Sequence, residues 1–229
     1  EPDDALLIRQ ALDDAGLTVK TGVAASGISG DASGVTGVTL DNGSELPCQM
    51  VCIGKGVRPN VEYLDGSGVQ VDGGIVADRH TGASLPGTYA AGDVAVTHEP
   101  VSGAPIMTAL WTNAVEMGRC AGMNMAGVKA AYAGTFGILN ATQVADEPFV
   151  AMGVVHTATG GWEIHRKATA TTYSKLVFDP EGTRLVGAVF VGDITNAGLY
   201  RYVIREKMDV AGFKREIIDH RLHYGHFTR

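Results

Sequence analysis

The stretch Leu85-Pro86-Gly87-Thr88-Tyr89-Ala90-Ala91-Gly92-Asp93 constrains the fold more than any other part of the chain. A short apolar run, residues 88–91, leads directly into a Gly-Asp pair. A helix rich in small residues follows after a polar loop. This order predicts a buried strand with one carboxylate at its carboxyl end, where open α/β sheets receive ligands. A carboxylate there accepts hydrogen bonds from a polyol. A Gly-Asp pair on its own reads as a turn or a helix N-cap, so its surroundings must carry the argument.

Those surroundings are ordered. From Gly68 the chain reads turn, strand, Asp72, Gly73-Gly74, strand, Asp78, Thr81, then Leu85-Pro86-Gly87 and the apolar run. Upstream, an expected strand over residues 45–53 ends in Gly54-Lys55-Gly56-Val57-Arg58-Pro59-Asn60. Gly54 and Gly56 leave no Cβ at the strand tip, so a nucleotide can lie across it. Pro59 fixes the direction of exit. Taken alone, this second stretch is better accounted for by a plain strand-to-loop glycine turn.

The rest of the chain alternates helix and strand signals. Residues 4–16 read as a helix, with Ala5, Ile8, Leu12 and Ala15 on one face and Gly16 as its stop. Short alternating segments follow at 17–20, 23–28 and 34–40, and Asp41-Asn42-Gly43 marks a turn. Residues 68–79 hold two short strands, and 94–106 reads as a polar loop. Residues 107–126 read as a helix, with Leu110, Ala114, Met117, Ala121 and Met125 in a packing stripe and Gly127 as its stop. Strands are expected over 149–156, 163–169, 172–178 and 185–191, the last two joined by the turn Asp179-Pro180-Glu181-Gly182. Helices are expected over 195–208 and 212–218.

Composition excludes several classes of partner. The net charge of −7 provides no basic surface for nucleic acid. No apolar run is long enough to span a bilayer, and no secretory leader is visible. The three cysteines, Cys48, Cys52 and Cys120, fit a reducing, cytoplasmic compartment better than a disulfide framework. Cys52 lies in the apolar run 50–53 and reads as a small buried hydrophobe rather than half of a redox pair with Cys48. His220, His223 and His226 read as a solvated or interface tail rather than a metal site, because Gly225 breaks any helix that would align them. No metal is expected.

On the stretches around Gly54–Asn60 and Gly68–Asp93, the chain resembles the pyridine nucleotide-disulfide oxidoreductase superfamily. The resemblance implies an α/β fold: part of a two-dinucleotide-binding arrangement without its N-terminal halves, followed by an α+β C-terminal domain. Residues 1–57 would be the later part of the NAD(P)-binding domain, 58–130 the later part of the FAD-binding domain, and 131–229 the C-terminal domain. By this likeness Gly92 and Asp93 meet the ribityl chain of FAD. Thr108-Ala109-Leu110-Trp111-Thr112-Asn113-Ala114 resembles the helix start that faces the flavin ring in ferredoxin- and rubredoxin-reductase relatives. That places Ala109, Leu110 and Trp111 at the cofactor, with Trp111 facing the ring, and assigns Gly54 and Gly56 to nucleotide contact.

Residues 131–229 resemble the C-terminal domain of the flavin module of nitrite reductases and NADH-dependent reductases or oxidases. The likeness rests on residues 173–178 and 184–193. Gly192-Asp193 imitates the flavin motif, but Asp193 reads as a helix-entry or turn residue. No His-Pro…Glu pair typical of dithiol members is present, and no Gly-x-Gly-x-x-Gly occurs. The implied activity is an FAD-dependent NAD(P)H oxidoreductase, with a nicotinamide donor and a small redox protein, nitrite or oxygen as acceptor. No catalytic residue can be assigned. Without pyrophosphate-binding turns this chain alone is expected to hold no tightly bound FAD. A homodimer is expected from the unpaired strand edge near residue 53. The alternative expectation is an inactive fragment that serves as a dimerisation or interaction module.

Overall fold

A computed structural model describes residues 2–100, 103–134 and 140–227. Residues 101–102 of the expected polar loop, and 135–139 and 228–229 of the expected C-terminal domain, lie outside the described residues. The chain divides into two compact units: Leu12–Arg58, and Glu1–Ala11 together with Pro59–Arg229.

The smaller unit begins with the end of helix α1 (Pro2–Asp14). Gly16, at φ 81°, closes that helix. Its N–H bonds Asp13 O and the Leu17 N–H bonds Leu12 O, the paired arrangement that satisfies the last carbonyls of a helix. An antiparallel meander follows, β1 (Ala25–Asp31), β2 (Gly34–Leu40) and β3 (Glu45–Pro47), in the order β1-β2-β3. Leu40 is the buried large hydrophobe of this unit. The expected strand over 45–53 stops at Pro47, and residues 48–60 form no regular element. A strand requires a hydrogen-bonded neighbour: the last bond to β2 is Cys48 N–H to Thr36 O at 3.2 Å, and residues 49–53 have no ladder partner among the described residues. Cys52 is therefore exposed rather than buried, its Sγ 3.8 Å from Met50 Sδ.

The larger unit holds two sheets. The first, in the order β4-β5-β6, is small: β4 (Ile75–Val76) runs parallel to β5 (Ala95–His98), which pairs antiparallel with β6 (Pro105–Met107). Here the structure departs from the sequence expectation. Residues 88–91 form no strand and make only a bridge between Tyr89 and Gly82, while the sheet strand β5 lies inside the expected polar loop. Ala95, Val96 and Thr97 are buried there between β4 and β6. Helix α2 (Trp111–Met125) packs Met117, Cys120 and Ala121 against Ile75, Ala77, Ala90 and Ala95.

The second sheet has the order β7-β8-β11-β10-β9, with β7 Asn140–Val144, β8 Glu147–Gly153, β9 Glu163–Ala168, β10 Tyr173–Phe178 and β11 Leu185–Val191. Every residue of β10 and β11 is buried, Ser174 and Lys175 of β10 among them. Helices α3 (Ala197–Arg205) and α4 (Lys214–Ile218) cover one face, where Phe178, Phe190, Tyr200, Val203 and Ile217 form the largest core. On the other face, Leu7 and Ile8 of α1 pack on Ala151, Tyr173, Val189 and Val191. Asp179 closes the β10–β11 turn by accepting from the N–H groups of Thr183 and Arg184 at 2.7 and 3.0 Å. Asp193, the imitation of the flavin motif, is a turn residue as expected, and its carboxylate accepts from the Thr195 N–H at 2.9 Å.

Candidate functional site

Gly92 sits at φ 83°, a backbone conformation open chiefly to glycine. It turns the chain into β5, closed by the Ala95 N–H to Gly92 O bond of 3.0 Å. Asp93 therefore stands in the turn at the amino end of β5, not at the carboxyl end of a sheet strand as the sequence implied. The physical reason is that residues 88–91 pair only with residues 81–83, through Ala83 N–H to Thr88 O and Ala90 N–H to Thr81 O, both 2.9 Å, and join no sheet. The carboxylate is exposed, and among the described residues it makes no side-chain hydrogen bond or ion pair. It can accept hydrogen bonds from a ligand.

The turn lies against α2. A Cβ built on Gly92 would stand 3.6 Å from the Ala114 Cβ, in the first turn of the helix. Asp93 and the helix start are thus brought together. Leu110 is the extended N-cap of α2 and gives it no side-chain cap, so the donors of the first turn face outward without a side-chain partner. Trp111, the first helical residue, is 86% exposed, which rules out an ordinary core aromatic. Ala109 is exposed and Leu110 half-buried. Just before them the Thr108 hydroxyl is buried with no hydrogen-bond partner.

A polar network that the sequence did not reveal fixes the other end of α2. The Asn124 amide donates to the carbonyls of His80, Cys120 and Ala130 at 3.0, 2.9 and 3.0 Å. Its oxygen accepts from the Ala130 N–H at 3.1 Å. The loop it grips is held by Asp78, which accepts from the N–H groups of His80 and Gly82, both at 2.8 Å. Thr81, fully buried at φ 61°, is the strained residue inside that loop. The helix start is thereby anchored from a distance of three to four turns.

Gly54 and Gly56 belong to the smaller unit. Gly56 has φ 79°, and a Cβ on either glycine would meet no atom within 4 Å. Of the three C-terminal histidines His223 is exposed, and His220 and His226 are half-buried. His220 bonds Ser174 and packs on Phe190, while the His223 and His226 rings stand 3.9 Å apart. No group of His, Cys, Asp or Glu fit to hold a metal occurs among the described residues. No helix among them is long and apolar enough to cross a membrane.

The sequence model for pyridine nucleotide-disulphide oxidoreductases matches residues 4–118, half of the chain. The chain belongs to this family. Over 222 residues it is 29% identical to the NADH-dependent phenylglyoxylate dehydrogenase subunit epsilon of Aromatoleum evansii, covering 96% of this chain and 52% of that protein. Over 108 residues it is 35% identical to putidaredoxin reductase CamA of Pseudomonas putida, covering 46% of this chain and 26% of that one. In solved structures the fold resembles the ferredoxin reductase for the CYP199A2 system from Rhodopseudomonas palustris. The TM-score is 0.78 at 24% identity, over 92% of this chain and 51% of that one. The chain thus spans about half the length of the first relative, and the partial two-nucleotide fold expected from the sequence agrees with that span.

Proposed function

We propose that this chain supplies the ribityl- and ring-facing part of an FAD site in an NAD(P)H oxidoreductase that delivers electrons to an external acceptor. The observation that carries the reading is the juxtaposition of a free Asp93 carboxylate with the uncapped start of α2, joined by the Gly92–Ala114 contact. Asp93 would hold the polyol by accepting hydrogen bonds from its hydroxyl groups. The N–H groups at the start of α2 carry partial positive charge and would favour negative charge on the pyrimidine edge of the ring. Trp111 would shield the ring and shape the route to the acceptor. Flavin, when bound, supplies the hydride and electron chemistry; the protein supplies position and field. The named relatives favour NADH as donor and a small redox protein as one class of acceptor.

The FAD adenosine and pyrophosphate contacts would come from chain outside these residues, since no Gly-x-Gly-x-x-Gly occurs here. The purified chain is therefore expected to show no stoichiometric flavin absorption. A stoichiometric visible band would overturn this division of the site.

The smaller unit favours a second reading, self-association. Met50 and Ile53 are 75% and 76% exposed on a segment without ladder partners. Such an edge pairs with another chain. Light scattering is expected to show a dimer or larger species, and a monomer at tens of micromolar would remove this reading.

A further inference from the structure

Helix α2 carries apolar residues on two sides. Met117, Cys120 and Ala121 are buried in the core of the larger unit. Trp111, Val115, Gly118, Gly122 and Met125 are all exposed, and they recur at intervals of four and three residues. At 3.6 residues per turn they fall within about 80° of arc, one straight stripe along the helix. Val115 and Met125 are 58% and 63% exposed. The charged residues of α2, Glu116 and Arg119, stand to one side of the stripe, and Glu116 turns to Arg201 of α3 at 3.9 Å. A helix apolar on one side lies at a surface, whereas one apolar on both sides belongs between two layers.

The two glycines point the same way. In a helix, glycine weakens folding about fivefold against alanine. A Cβ on Gly118 or Gly122 would meet no atom within 4 Å, so nothing among the described residues requires its absence. Gly74 shows the contrast, since a Cβ there would stand 2.7 Å from Val94 O. Helical glycines one turn apart open the helix surface to close approach by a second backbone.

We propose that this stripe receives a second helix, carried by the chain that completes the flavin site. The proposal rests on the reading above in taking that site to be completed by further chain. Val115, Gly118, Gly122 and Met125 have the three-and-four spacing along which one helix packs on another. Trp111 joins the stripe to the site: it stands one turn before Val115 and belongs to the ring-facing part already described. Chain that closes the site from this side runs along α2. The matched relatives carry about as much chain again outside the part that this chain covers, enough for such a helix.

The test compares residues 1–229 with the protein expressed from its whole reading frame, both measured free of flavin. Gly118→Ala combined with Gly122→Ala should raise the urea midpoint of residues 1–229, by about fivefold in the folding constant per site. In the whole protein the same pair should lower the midpoint, by about tenfold or more in that constant, because each Cβ meets the second helix. Val115→Cys gives a readout that needs no loss of stability. Its alkylation by iodoacetamide, followed by peptide mass, should be at least tenfold slower in the whole protein. Equal labelling in the two proteins, or glycine variants that act with one sign in both, would overturn the proposal. Protection of Val115→Cys that grows with the concentration of residues 1–229 alone would also overturn it, by making a second copy the occupant. Failure of the flavin reading shows separately, as an Asp93→Ala protein that keeps its flavin while the stripe stays protected.

Discussion

Replacing Asn124 by alanine probes how α2 is held. Its amide offers two hydrogens to three carbonyl oxygens, those of His80, Cys120 and Ala130, so one hydrogen is shared. After truncation the carbonyls keep other donors: Thr81 Oγ1 bonds His80 O, and His80 Nδ1 contacts Ala130 O, both at 2.6 Å. The Ala130 N–H loses the 3.1 Å acceptor it had in Asn124 Oδ1. Two to three net hydrogen bonds at about 1 kcal/mol each, plus one orphaned donor, give a loss of about 3 kcal/mol. Alanine recovers about 0.6 kcal/mol through its better helix propensity. The net expectation is a destabilisation of about 2–3 kcal/mol, read as a lower urea midpoint at unchanged slope. Coincident transitions by circular dichroism and tryptophan fluorescence are required for that reading. Asn124→Asp keeps the acceptor but turns a carboxylate toward three carbonyls, so it should be no more stable than the alanine variant. A loss below about 0.5 kcal/mol, the ordinary range for a surface position, would refute the view that this amide anchors the helix.

Two further outcomes follow from local chemistry. Gly92→Ala should cost about 1–2 kcal/mol from its φ of 83° alone, since the added Cβ meets Ala114 at an ordinary 3.6 Å; thermal unfolding showing no change would contradict that backbone assignment. Glu163 is held below its usual range, first by His165 and then by Lys214, whose contacts are both 2.7 Å. A depressed folded value contributes stability above the unfolded value that is lost as pH falls through the folded one. Glu163→Gln should therefore flatten the acid limb of stability against pH, by a small amount because the group is over a third exposed; parallel acid limbs would dismiss the pairing.

How far the sequence carried the account depended on whether a signal was local. The helix stops at Gly16 and Gly127 were readable because a left-handed glycine after an apolar stripe is a local event. So were the Asp179 turn and the two strands it joins, β10 and β11. Residues 48–53 and 88–91 misled because an apolar run becomes a strand only beside a partner, and its composition does not say whether one is present. β5 and β7 were missed for the converse reason: Ala95–His98 and Asn140–Val144 take their strand character from pairing with β4, β6 and β8. At the candidate site, Gly92, Asp93 and Trp111 were visible as a motif. Asn124 was not, since a lone amide near a helix end reads as solvated. The Ser174–His220 contact joins residues 46 apart in sequence and leaves no local trace.

The central claim is that Asp93 and the start of α2 form one side of a flavin site completed by further chain. The direct measurement is flavin stoichiometry in the protein expressed from its whole reading frame, with Asp93→Ala beside the parent. The account predicts about one FAD per chain in the parent and flavin retention weakened at least tenfold in the variant, through lost charge-assisted hydrogen bonds to the polyol. A parent without flavin, or a variant that retains it equally well, would contradict the account.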